Sequence, residues 1–187
     1  MNHRMIRLVT AGLGTGAALL AVTGCSHDSG PTTETLRIGD TATIDDNEQL
    51  KIQAAVTTID TGSSADLNEL QNPSKYAGKT PYYVRYRLTT TASSATAPSE
   101  SFVAFAGSKQ LTHLSVIPSL DVTNDPEHPL SSHSFDKCKS AATDKLKNAP
   151  AGQSVDGCII FLSDNGDGAP TKVQWGLKKT PAAVWKP

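Results

Sequence analysis

The segment DVTNDPEHPLSSHSFDKC, Asp121 to Cys138, is the part of the chain whose residue types most resemble a reactive site. It gathers Asp121, Asp125, Glu127, His128, His133 and Asp136. Imidazole and carboxylate together can hold zinc or a similar ion, and such an ion would serve a metal-dependent hydrolase. The spacing argues against that use. His128 and His133 are loosely placed, Pro126 and Pro129 imply an open loop, and no helix is expected there to fix the direction of ligands. A solvated polar loop that holds no metal and no other cofactor is the expectation; an envelope-associated hydrolase or metal-dependent enzyme using the Asp121–Asp136 loop is the alternative.

Other candidates for chemistry are weaker. The run SDNGDG, Ser163 to Gly168, has the look of a calcium loop, but an EF-hand alignment puts Gln174 at the bidentate position and leaves too little charge. It reads instead as a Gly/Asn/Asp hairpin turn. No G-x-S-x-G elbow marks a nucleophile. His113 falls within a strand pattern, where a hydrogen-bonded structural histidine is expected rather than a base. Tyr83, Arg85 and Arg87 are of types favoured at interfaces and could form a contact patch; the plainer reading is a solvated outer sheet face. No catalytic residue is assigned.

The elements that must position these residues are strands. In YYVRYRLTT, Tyr82, Val84, Tyr86 and Leu88 fall on one face, and Tyr83, Arg85, Arg87 and Thr89 on the other. One buried and one wet face is the mark of an antiparallel sheet. Gln49 to Val56 alternates in the same way, and VDGCIIFLS, Val155 to Ser163, is apolar on both faces, which predicts a central strand. Shorter strands are expected over Thr35–Ile38 and Thr41–Ile44, around Gly39-Asp40, and over Ser101–Ala106 and Gln110–Ile117, around Gly107-Ser108. Thr171–Leu177 should turn Val173, Trp175 and Leu177 inward, and Ala182–Trp185 closes the series, with Trp185 unassigned. Helix is limited to possible turns at Ala65–Gln71 and Ser140–Lys147. About seven or eight strands with turns between them predict an all-β, two-layer sandwich, with a small closed barrel as the alternative. Asp60–Thr80 and Pro118–Gly152 are long connections for such a domain, and loops of that length are often functional.

The ends and the cysteines speak to location. Arg4 and Arg7 precede an apolar stretch, Leu8 to Thr23, that is shorter than a membrane span, which is the layout of an export signal. The run Val22-Thr23-Gly24-Cys25 resembles the lipobox of bacterial lipoproteins, whose cysteine receives a diacylglycerol before cleavage. The resemblance implies a signal peptide over 1–24, a lipidated start and tether over 25–34, and a domain over 35–187. Two acyl chains suffice for stable anchoring. Cys138 and Cys158, exported to oxidising surroundings, are expected to pair. Removing Arg4 and Arg7 takes the formal charge from −1 to about −3, so nothing favours nucleic acid, which wants a basic stripe.

PAGQSVDGCIIFLSD followed by VQWGL, with the YYVRYRLTTTAS strand and Gly39-Asp40 ahead of the first strands, resembles a known group. This is the immunoglobulin-like domain of unknown function in secreted and lipid-anchored proteins of Gram-positive bacteria, which includes a secreted mycobacterial immunogenic antigen. The resemblance implies a β-sandwich and carries no catalytic residues. Trp175 lies after both Cys138 and Cys158, so the Cys-Trp-Cys order of antibody domains is lacking. The expectation is a lipid-anchored interaction module on the outer face of the cell membrane, its partner a cell-envelope protein or polymer.

Overall fold

The computed structural model describes residues 33–46, 50–70, 72–116, 119–122, 127, 130–133, 135–177 and 180–187. Alternation builds the first sheet. In β4 (Thr80–Thr90), Val84, Tyr86 and Leu88 are buried while Arg85 and Arg87 stay exposed. Its neighbour β3 (Leu50–Thr61) buries Ile52, Ala54 and Val56 on the same side. A bulge between Val56 and Thr58 then adds one residue to β3. That extra residue shifts the alternation by one, so Ile59 rather than Thr58 turns toward the core.

Beside β4 runs β10 (Ser154–Ser163), flanked on its other side by β7 (Thr112–Leu114), and β2 (Thr41–Asp46) lies outside β3. The order β2-β3-β4-β10-β7 is antiparallel throughout. The second sheet joins β1 (Glu34–Arg37), β12 (Ala183–Lys186), β11 (Lys172–Trp175), β5 (Phe102–Ala106) and β6 (Lys109–Gln110), in that order. Its β1–β12 pair is parallel, uniting the two ends of the domain. A separate hairpin pairs β8 (Ser119–Val122) with β9 (Leu130–His133). The expected two-layer sandwich is therefore present, not a barrel. Its two main sheets hold five strands each, more than the seven or eight expected in all.

Three local differences have physical causes. The strand expected over Gln110–Ile117 is split: β6 joins one sheet and β7 the other. Leu111, only 3% exposed, plugs the crossing and donates its N–H to Ala104 O at 2.9 Å. Leu177, expected inside, is 70% exposed, because Gly176 at φ +81° turns the chain off β11. Trp185, unassigned from sequence, is fully buried between the sheets. Its Nε1–H donates to Asp40 O at 2.9 Å, which satisfies its one polar group. Phe102 ties the aromatics together, lying edge-on to Trp175 at 4.9 Å and 4.7 Å from Tyr86. The two expected helical turns form as 3-10 helices, Ser64–Glu69 and Thr143–Leu146, and a third covers Pro73–Tyr76.

Candidate functional site

Because β10 is apolar on both faces, it has a second surface to bury. Ile159 and Phe161 enter the main core, whereas Cys158, Ile160 and Leu162 point outward into a second cluster with Leu67, Tyr83, Phe135 and Cys138. The cover comes from the two long connections, which converge on this face of β4 and β10. The Cys138–Cys158 disulfide, with Cα atoms 5.0 Å apart, ties the later connection to the strand. The pairing expected from sequence is present.

Tyr83 was expected on an open patch, but it is only 5% exposed. Its ring meets Phe135 at 6.2 Å and its hydroxyl donates to Asp66 Oδ2 at 2.8 Å. Burial, and then the Asp66 carboxylate, hold its ionisation well above the ordinary phenol range. Asp66 is the knot between the two connections. Lys137 Nζ donates to Asp66 Oδ1 at 2.6 Å, while Asp66 Oδ2 also accepts the Ser63 N–H at 3.0 Å in a capping box. These bonds, that from Lys137 foremost, hold the Asp66 carboxyl below its usual range. Lys137 also pairs with Glu69 at 3.2 Å.

The two arginines divide. Arg85 pairs with Asp60 at 2.8 Å and donates to Lys137 O at 3.3 Å, so it helps fasten the loop. Arg87 remains on the open sheet face, gripping Asp156 through two bonds of 2.7 and 3.1 Å. Of the contact patch, both guanidiniums are therefore exposed and ion-paired, while its tyrosine is covered.

Beside the pinned loop lies a cleft of about 620 Å³, lined by His113, Val116, Phe135, Lys139 and Ile160 among others. A shallower cleft of about 300 Å³ adjoins Phe102, Leu111, Phe161 and Leu177. Glu100 and His113 line both. His113 was expected as a hydrogen-bonded structural residue; it is exposed, with its ring 5.8 Å from that of Phe161. Glu100 was missed, since it sits in a small, polar connection with no local pattern. Ala141 N–H donates to Glu100 Oε1 at 3.0 Å and to Tyr86 Oη at 3.1 Å, and the Tyr86 hydroxyl in turn donates to Glu100. Burial and that carboxylate push the Tyr86 hydroxyl far above its ordinary range. An oriented carboxylate and an imidazole on apolar walls can recognise a ligand's donors and apolar parts.

Of the acid/His segment, Asp125 and His128 lie outside the described residues, as does Cys25. Asp121 falls in β8 and His133 in β9, Glu127 is exposed, and Asp136 lies 2.8 Å from Lys139 Nζ. Among the described residues no group of three or more His, Cys, Asp or Glu could hold a metal ion. In the Ser163–Gly168 turn, Asp164 is bonded by Lys79 and Lys109, and Asp167 by Lys109 at 2.6 Å. Lysine ammonium groups thus occupy the carboxylates that a calcium loop would need.

The described residues define an all-β, two-sheet sandwich with a buried disulfide under the long connections. It is similar to the 1.5 Å crystal structure of MPT63, a secreted protein from Mycobacterium tuberculosis: TM-score 0.55, 16% identity, over 84% of this chain and 100% of that one. The likeness is one of fold. Comparison with protein-family models and with curated proteins gives no match.

Proposed function

We propose that the chain is a lipid-anchored binding module on the outer face of a Gram-positive cell membrane. Cys25 holds the lipid, and the cleft beside the Cys138–Cys158 bridge receives a cell-envelope protein or polymer. The observation that carries this reading is the pinning of the 135–140 loop by the disulfide, Arg85 and Lys137, which gives the cleft a fixed wall before any ligand arrives. Preorganisation of that kind lowers the entropic cost of binding. The extracytoplasmic address draws on the disulfide, which persists in oxidising compartments, on the export-signal pattern, and on the fold shared with a secreted protein.

The test joins address and binding. In intact cells, Cys25→Ala should lose labelling by a fatty-acid analogue and leave the membrane fraction. Crosslinking should enrich an envelope partner with the parent chain and lose it with Ser115→Trp, which fills the cleft from an exposed rim position. Membrane retention of Cys25→Ala overturns the anchor, and crosslinks unchanged by Ser115→Trp overturn the cleft.

A further inference from the structure

The strand registers place four residues at one level across the second sheet. Glu34 lies opposite Ala183, and Trp175 opposite Phe102. Gln174 lies opposite Val184, which puts Trp175 level with Ala183. The chain therefore enters β1 at the same end of the sandwich at which β11 finishes. Just beyond that finish stands Leu177, the exposed large hydrophobic residue among those described. It is two strands away from the point of entry, a lateral distance of about 10 Å. The shallow cleft at its side is lined by Phe102, Val103 and Leu111, each almost wholly buried, together with Glu100, Gln110 and His113, so Leu177 itself is the apolar group that projects there. Opposite, at the far end, are the Gly107–Ser108 turn and the Ser163–Gly168 turn with its lysine–aspartate pairs.

Between Cys25 and Glu34 the chain has only Ser26 to Thr33. Fully extended, that segment reaches at most about 30 Å. A domain on so short a tether presents its entry end to the bilayer more than any other. We infer that Leu177 and the cleft edge beside it form a bilayer-contacting tip, with Leu177 entering the lipid interface and the Gly107–Ser108 end facing outward. This rests on the proposed anchor at Cys25. Local concentration explains how so small an apolar surface suffices, because the tether makes contact intramolecular. Glu34 and Glu100 lie toward the same end and would repel anionic headgroups, so a contact made through Leu177 suits zwitterionic ones.

The experiment uses the full lipoprotein purified from its own membranes and placed in phosphatidylcholine vesicles. The disulfide and the lipid block all three native cysteines, so Leu177→Cys provides one thiol for an environment-sensitive dye. Ser108→Cys serves as the control at the far end. The expected result is a blue shift at position 177 on vesicle binding and no shift at position 108. Flotation with the vesicles separates the two readings. A chain that does not float overturns the anchor and this inference with it. A chain that floats with equal dye response at both positions overturns the inference alone. A shift at 177 without vesicles that grows with protein concentration assigns Leu177 to a second copy and also overturns it.

Discussion

Gly157 shows how a single missing side chain can set up a polar network. A Cβ there would lie 2.3 Å from Tyr86 Oη and 2.7 Å from the Ala141 backbone nitrogen. The glycine thus lets the Tyr86 phenol lie across β10 and reach Glu100 and Ala141. Gly157→Ala would gain about 0.4–1 kcal/mol from a stiffer unfolded chain, but overpacking costs roughly 1–3 kcal/mol. The clash wins, so the urea midpoint should fall. Adding Tyr86→Phe should not restore it, since the ring carbon at 2.4 Å and the Ala141 nitrogen remain. A rescued midpoint would show that the oxygen alone was the obstacle. Asp66 sets a pH dependence at the same scale. Lys137, Ser63 and Tyr83 depress its folded pKa below the unfolded value of about 3.9. The folded state therefore binds fewer protons there, and the contribution is full above that pH and lost as pH falls through the folded value. The advantage of the parent over Asp66→Asn, about 1–3 kcal/mol at neutral pH, should shrink below about pH 4. A constant difference in unfolding free energy from pH 6 to pH 2.5 would contradict it.

Elements were legible where one face alone decides. The β4 alternation gave its inner face directly, and the doubly apolar β10 marked itself as covered on both sides. What the pattern could not supply was the identity of the cover. Tyr83 looks solvent-facing in its strand, and only the return of Leu67 and Phe135 over it makes it buried. Glu100 was illegible for the same reason, since its partners Tyr86 and Ala141 are remote in sequence. The split between β6 and β7 depends on which sheet each half finds, and a periodic run of residues carries no such instruction. The disulfide is the element-scale device that keeps the cover in place. It closes a loop of sequence separation 20, and losing such a constraint costs about 3 kcal/mol in the chain-entropy model. Cys138→Ala with Cys158→Ala should lower stability by about that amount. It should also make the 135–140 loop the first site of proteolytic cutting, while β4 and β10 keep their amide protection in hydrogen exchange. Uniform loss of protection across both sheets would mean that the bridge supports the sandwich itself rather than its cover.

On the scale of the whole molecule, the two ends of the domain depend on each other. The parallel pair of β1 and β12 forms the margin of one sheet, and β12 stands between β1 and β11. Trp185, near the C-terminus, reaches across to the Asp40 carbonyl that follows β1 and packs 5.8 Å from Phe102. Contacts of such long sequence separation are invisible to local pattern, which is why Trp185 had no assignment from sequence. They also make the last strand part of the common core rather than an appendage. Trp185→Ala removes a fully buried indole, a change that costs about 3–5 kcal/mol. Against a total stability of about 5–15 kcal/mol, that is enough to lower the global midpoint steeply. Trp185→Phe keeps most of the apolar volume and leaves the Asp40 carbonyl without its donor, at about 1–2 kcal/mol. The two variants should therefore rank in that order in a single cooperative urea transition, with both sheets unfolding together. Hydrogen exchange provides the decisive comparison. If the last strand belongs to the core, Trp185→Ala accelerates exchange in β4 and β10 by the same free energy that it removes from the global transition. If faster exchange is confined to β1 and β12, the chain ends form a separable edge and the sandwich stands without them.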